Sequence, residues 1–226
     1  MRTQQFQAEQ GPSHGSKTVA RSTGVGSLST PAQNGENPWV VHLRVAASDN
    51  DGLLRTCVGS IVDASWVLTS ASCVKNSRFI WIRYGAADVI RPELVTESTT
   101  VTINPDNNLA LIDINRKLQN TVNISPIPLA ASNTELPTSG KLCVYGAVEG
   151  APGEKLSCFN VDLKANEDGS IVGSSDDGQA TEFDFGAPLV SEGVQVGVLT
   201  DVTEGSAVFL NTAKYNEWIS GITSQQ

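Results

Sequence analysis

The sequence predicts an all-β fold in two halves, on three observations. Short β-branched and aromatic runs recur between Asp, Asn, Gly and Pro turns. A second series of such runs follows a Pro-, Ser- and Asn-rich crossing. One segment alone reads as helix. The pattern is that of an all-β sandwich or barrel.

Taken in order, residues 1–35 are rich in Ser, Thr, Gly and Gln and nearly lack apolar periodicity, so they read as an extended or disordered arm. From Pro38 the texture changes, and "WVVHLRV", "CVGSIV", "SWVLTS", "RFIWIRYG", "TTVTI" and "NLALIDI" supply the strands of a first half over 36–115. A linker over 116–135 contains most of the crossing "NISPIPLAASNTELPTSG". The second half, 136–226, runs through "KLCVYGAV", "KLSCFNVDLK", "GSIVGS", "GAPLVS", "VQVGVLTD" and "AVFLNTA". It ends on "TAKYNEWISGITSQQ", where Tyr215, Trp218 and Ile219 stand at helical spacing and offer one apolar face.

A chain of 226 residues can bury a substantial core without help from cross-links. Its 15 basic and 24 acidic residues leave a net charge of -9, which argues against a nucleic-acid or acidic-membrane binder, since phosphate binding needs a positive field. No apolar run is long enough to span a membrane. The opening "MRTQQFQAEQGPSHGSK" lacks the apolar stretch of a secretory leader, so the expectation is either a chain whose leader has already been removed or a Met1 that was added for expression. Cys57, Cys73, Cys143 and Cys158 fall into two local pairs without CxxC spacing. That usage favours two disulfides and an extracellular setting over zinc or redox chemistry; four buried thiols in a cytosolic protein are the alternative. HExxH, GxxxxGK[ST] and GxSxG motifs do not occur.

Six blocks now carry a resemblance. "NPWVVHLRV", "CVGSIVDASWVLTSASC", "NNLALIDINRKL", "FDFGAPLV", "VQVGVLTD" and "SAVFLNTAKYNEWI" occur in the order of the signature blocks of the chymotrypsin-like serine proteases, which read PWQVSL, CGGSLI..WVLTAAHC, DIALLKL, GDSGGPLV, VGIVSWG and PGVYTRVSKYVDWI. The resemblance covers roughly residues 36–220. It implies two packed six-stranded antiparallel barrels with a C-terminal helix. It also implies a Cys57–Cys73 disulfide, and leaves Cys143 to pair with Cys158 across the hairpin expected around "EGAPGE".

Catalysis in that family needs a serine nucleophile, a histidine base, an aspartate that orients the histidine, and backbone donors for the oxyanion. Residue by residue, the resemblance puts Ser72 at the histidine, Asn108 at the aspartate and Phe185 at the serine. Phe183 stands at the glycine of the oxyanion hole, Gln179 at the base of the specificity pocket, and Thr200, Asp201 and Val202 on the edge that pairs with substrate backbone. No other base offers itself, because His14 lies in the arm and His42 reads as a half-exposed strand residue. Meanwhile core letters such as Trp66, Leu68, Ala110, Leu111, Pro188, Leu189, Gly197 and Trp218 persist.

Asp184 matches the family's aspartate that binds a new N-terminal amine after activation cleavage. Here only Val25, Gly26 and Ser27 faintly resemble the required start, with Arg21 as an upstream cleavage point, so a zymogen-like or rearranged region is expected. The carboxylates Asp176, Asp177, Glu182 and Asp184 read as a solvated acidic loop, and neither metal nor cofactor is expected. Asn123 in "NIS" is a candidate glycosylation site.

The resemblance therefore implies a secreted, inactive protease homologue that binds an extracellular protein, as cofactor, decoy or inhibitor in a proteolytic or immune cascade. Its expected contact surface is the altered cleft, with candidates Gln179, Glu182, Thr200, Asp201 and Val202, plus the acidic loops from Asn166 to Glu182, suited to a basic or mixed-charge partner. A structural or storage protein without a defined partner is the alternative, and a hydrolase with an unrecognised constellation the third reading.

Overall fold

The computed structural model describes residues 29–48 and 52–224. Arg21, His14 and the segment around Val25 lie outside the described residues.

The chain opens with β1 (Thr30–Pro31) and then builds the first barrel from β2 (Val40–Ala47), β3 (Leu54–Asp63), β4 (Trp66–Thr69), β5 (Ser77–Tyr84), β6 (Leu94–Ser98), β7 (Thr100–Ile103) and β8 (Ala110–Asp113), with a one-turn helix α1 (Ala71–Val74) after β4. Its strand order is β6-β5-β2-β3-β4-β8-β7, antiparallel throughout. Only Thr99 separates β6 from β7, so these two are arms of one bent strand and the sheet returns on itself. Alternation explains the interior: Val41, Leu43 and Val45 of β2 and Ile80, Ile82 and Tyr84 of β5 are fully buried, at every second position.

The second barrel uses β9 (Ser139–Val144), β12 (Ser157–Ala165), β13 (Ile171–Ser174), β14 (Pro188–Ser191), β15 (Val194–Thr203) and β16 (Ser206–Asn211), with a small hairpin of β10 (Ala147–Val148) and β11 (Ala151–Pro152) on the loop after β9. The order β1-β12-β13-β16-β15-β14-β9, with β9 also paired to β12, closes six strands into a ring and leaves β1 as a seventh at its margin. Residues 30–31, expected in the arm, thus form a strand against Ser157 and Cys158. Leu142, Ile171, Leu189 and Phe209 fill this barrel.

Cys143 and Cys158 face each other in the β9–β12 register and are joined, as are Cys57 and Cys73. No free cysteine remains. The predicted helix is α2 (Thr212–Thr223), started by the Asn211 side chain accepting from the Ala213 N–H. Ile219 is buried, and Tyr215 and Trp218 pack beside it on Trp66, Leu68, Leu111 and Val198. Among the described residues no helix is long and apolar enough to cross a membrane.

Hydrogen bonds join the barrels to each other and to the linker. The linker donates from Ile127 N to Ile61 O and from Ala130 N to Gln195 O, and the buried Gln195 accepts from Ser60 Oγ at 2.7 Å.

Candidate functional site

The cleft is built where β4 ends, where β8 begins and where the segment before β14 crosses toward the first barrel. Ser72 lies in α1, exposed, and Asn108 stands two residues before β8. The structure brings them together through Ser70. Asn108 Oδ1 accepts from Ser72 N at 2.8 Å and from Ser70 Oγ at 2.9 Å, and the Ser70 and Ser72 hydroxyls are 2.6 Å apart. Sequence reasoning missed Ser70, although the family consensus carries alanine there, and a hydroxyl beside an altered catalytic position was the available signal.

Phe185 closes the constellation from the other side. Glu182–Asp184 form a single 3-10 turn capped by Thr181, whose Oγ1 accepts from Phe183 N at 3.3 Å while its hydroxyl and N–H donate to Asp184 Oδ2. Phe183 therefore spends its backbone donor inside the turn. After Phe185 the chain must reverse against β3 and β4, and Gly186 does so at φ +89, where a Cβ would collide with Thr69 Oγ1 and Val58 O. The Phe185 carbonyl accepts from Val58 N at 2.9 Å, and its half-buried ring packs on the cores of both barrels.

Asp184 is fully buried, and its carboxylate is met by four donors: Tyr145 N at 2.9 Å and Gly146 N at 3.0 Å on one oxygen, Thr181 N and Oγ1 on the other. Burial raises its pKa, and the hydrogen bonds from Gly146, Thr181 and Tyr145 oppose that rise. The carboxylate is satisfied entirely by described residues, with backbone in the place where the resemblance implied a terminal amine.

His42 corrects an expectation. It lies on the outward face of β2, yet it is only 2% exposed, because Tyr145 of the second barrel stands edge-on to its ring at a centroid distance of 5.0 Å. Burial, then Arg83 and Arg44, lower its pKa to about 3. The ring is neutral, with Nδ1 facing Arg83 Nη1 at 3.3 Å. Alternation predicted the outward face but not the second barrel that covers it.

The cleft candidates do not form one group. Gln179 is exposed and lines a hollow of about 260 Å³ with Asp176, Gly178 and Ala207. Glu182, Phe183, Phe185 and Ser72 instead line a larger, mainly apolar trough of about 780 Å³. Thr200, at a bulge in β15, turns its hydroxyl to Val208 O, and the exposed Asp201 accepts from Val202 N. Val202 packs on the second core. Asn123 Nδ2, the atom a glycan would use, donates to Glu93 at 2.6 Å. Among the described residues no group of three His, Cys, Asp or Glu side chains converges as a metal site would require, and Asp184 is turned inward, away from the acidic loop.

Comparison with known proteins matches this arrangement to one family. The Trypsin family model fits residues 28–219. The chain is 25% identical to Serine protease 28 of Mus musculus over 54% of its own length, spanning about half (48%) of that protein. It is 26% identical to Kallikrein 1-related peptidase-like b4 of Mus musculus, over 72% of this chain and 80% of that protein. Among solved structures, scabies mite inactivated protease paralogue S-D1 superposes with a TM-score of 0.76 at 20% identity, covering 87% of this chain and 97% of that one. Two barrels that meet at Phe185, closed by a C-terminal helix and matched over most of the length, make this chain a member of the trypsin family.

Proposed function

We propose that this chain is a secreted, catalytically inactive member of the trypsin family that acts by binding another extracellular protein, as cofactor, decoy or inhibitor in a proteolytic or immune cascade. One observation carries the reading. At the positions that the resemblance assigns to the histidine and the aspartate, Ser72 and the Asn108 carboxamide are tied to each other directly and through the neighbouring Ser70 hydroxyl, and the position it assigns to the nucleophile carries the phenyl ring of Phe185. Serine has no basic nitrogen to take a proton near neutral pH, and Phe185 has no nucleophilic atom. Phe183, at the oxyanion position, has its N–H engaged by Thr181. Removing triad members in an active enzyme leaves a residual rate of roughly 10³ to 10⁴ over water, owed to the oxyanion hole and binding, and here the Phe183 donor is already engaged by Thr181.

Likeness to an inactivated protease paralogue supports the same direction. Two disulfides fit an oxidising compartment. Among the residues offered to a partner are Gln179, Glu182, Asp201 and the exposed acidic loops from Asn166 onward. Glycosylation at Asn123 fits the same setting and would have to displace its bond to Glu93.

The test is cleavage of a broad peptide library by the purified chain and by Ser72→His. Neither cleaves on this reading. Measurable peptidase activity in Ser72→His would refute it, because a single lost base would then explain the site.

A further inference from the structure

The outer face of the first barrel is covered by the second at one end and open at the other. Val40, Val58 and His42, on the outward positions of β2 and β3, are buried against the second barrel and its Tyr145. Two residues further along β2 the cover ends. There Arg44 stands between Thr56 on β3 and Trp81 on β5, while Arg83 of β5 lies opposite His42 and Val95. The interface between barrels thus opens into a free surface of the same sheet.

That surface is hollow and unusual in its chemistry. The trough of about 780 Å³ adjoins a second of about 520 Å³ lined by Trp81, Val89, Ile90, Pro92, Arg83 and Glu154, and Arg44 and Leu54 line both. Leu53 and Ile90 on its banks are 70% and 65% exposed, high for large aliphatic side chains. Within a chain of net charge -9, two guanidiniums stand side by side here. Each spends one N–H inside, Arg44 on Thr56 Oγ1 and Arg83 facing His42, and neither pairs with a carboxylate among the described residues. Burial and the charge of Arg44 both lower the Arg83 pKa, which is how an uncompensated cationic pair behaves.

We infer that this continuous trough docks an extended acidic segment of a partner protein, with carboxylates on Arg44 and Arg83 and apolar side chains against Leu54, Trp81 and Ile90. Charge complementarity selects this occupant. Residues 1–28 of the chain itself carry Arg2, Lys17 and Arg21 against Glu9, the wrong sign. A long polyanion such as a sulfated glycosaminoglycan would meet the repulsion of the whole molecule and apolar walls it cannot use. An alternating acidic and apolar peptide satisfies both the guanidiniums and the walls. The trough takes in Glu182 at the end of the acidic loops, and its neighbour takes in Glu154, so the docked carboxylates lie at the Arg44 and Arg83 end; the site deepens the binding role proposed above, on which its purpose rests.

The test is fluorescence anisotropy of a short labelled peptide alternating glutamate with leucine and phenylalanine, titrated with the full chain. Expected is saturable binding that weakens with salt, is absent for the lysine analogue, and falls at least about tenfold in Arg44→Glu and in Ile90→Asp. Ile90→Asp alters a mostly exposed position, so its effect does not come through misfolding. Binding that ignores both substitutions overturns the inference, as does a heparin fragment that binds in preference to the peptide, or self-association of the chain that Arg44→Glu abolishes. Peptidase activity would refute the inactive role on which this inference rests, whereas peptide binding that ignores Arg44 refutes this site alone.

Discussion

Acidification should destabilise this protein through His42 in particular. The ring is buried between β2 and Tyr145, and its pKa falls from 6.5 to about 3 because burial, Arg83 and Arg44 all disfavour the imidazolium. In the unfolded chain the same ring charges near its ordinary value. Below that value the unfolded state binds the proton and the folded state does not, so stability is full above about pH 6.5 and is lost as pH falls toward the folded pKa. Each unit of separation is worth about 1.36 kcal/mol, giving a loss of about 2 kcal/mol by about pH 5 and about 4 kcal/mol by about pH 3. Other groups titrate over the same range, so the assay is a difference. Urea unfolding is followed across pH for the native chain and for His42→Gln, which keeps an acceptor for Arg83 but cannot charge. The native chain should lose about 2 kcal/mol more than the variant between neutral pH and about pH 5. Parallel profiles would refute the reasoning, since they would mean that the ring is protonated or solvated in the folded state.

Asp184→Asn should cost about 2–4 kcal/mol in chemical denaturation, because two of the four donors lose their acceptor and confront an amide. Since burial raises the Asp184 pKa, its own contribution falls as pH rises through the folded value, and the variant should lack that slope. An unchanged midpoint would show that the carboxylate is not the hub of the turn. Replacing both Cys143 and Cys158 by alanine frees a closed loop of separation 15 and should lower stability by roughly 3 kcal/mol. A loss near zero would mean that the unfolded chain already holds these two positions close without the bridge.

The fold was legible because its signals are local. The alternation in β2 and β5, the apolar face of α2 and the pairing of cysteines along the chain all follow from short stretches of sequence. The sequence did not show what depends on distant partners. His42 is polar, outward and yet buried, because a tyrosine more than a hundred residues later covers it. The two-residue β1 is too short to carry a pattern, and the four residues of α1 are too few to show a helical period. Of the cleft, the motif resemblance pointed to Ser72, Asn108 and Phe185, and the structure brings the first two together; the Ser70 hydroxyl that joins them emerges only when β4 and β8 are side by side. The Arg44 and Arg83 trough was invisible for the same reason, since its walls come from strands, turns and loops of both barrels.

Reaction of the purified chain with a fluorophosphonate probe, read by intact mass, tests the central claim most directly. On the proposed reading, with Ser72, Asn108 and Phe185 where the resemblance puts the catalytic residues, the chain should remain unlabelled at concentrations that fully modify trypsin. A stoichiometric adduct on any serine of the cleft, abolished by denaturation, would reveal an activated nucleophile and contradict the account.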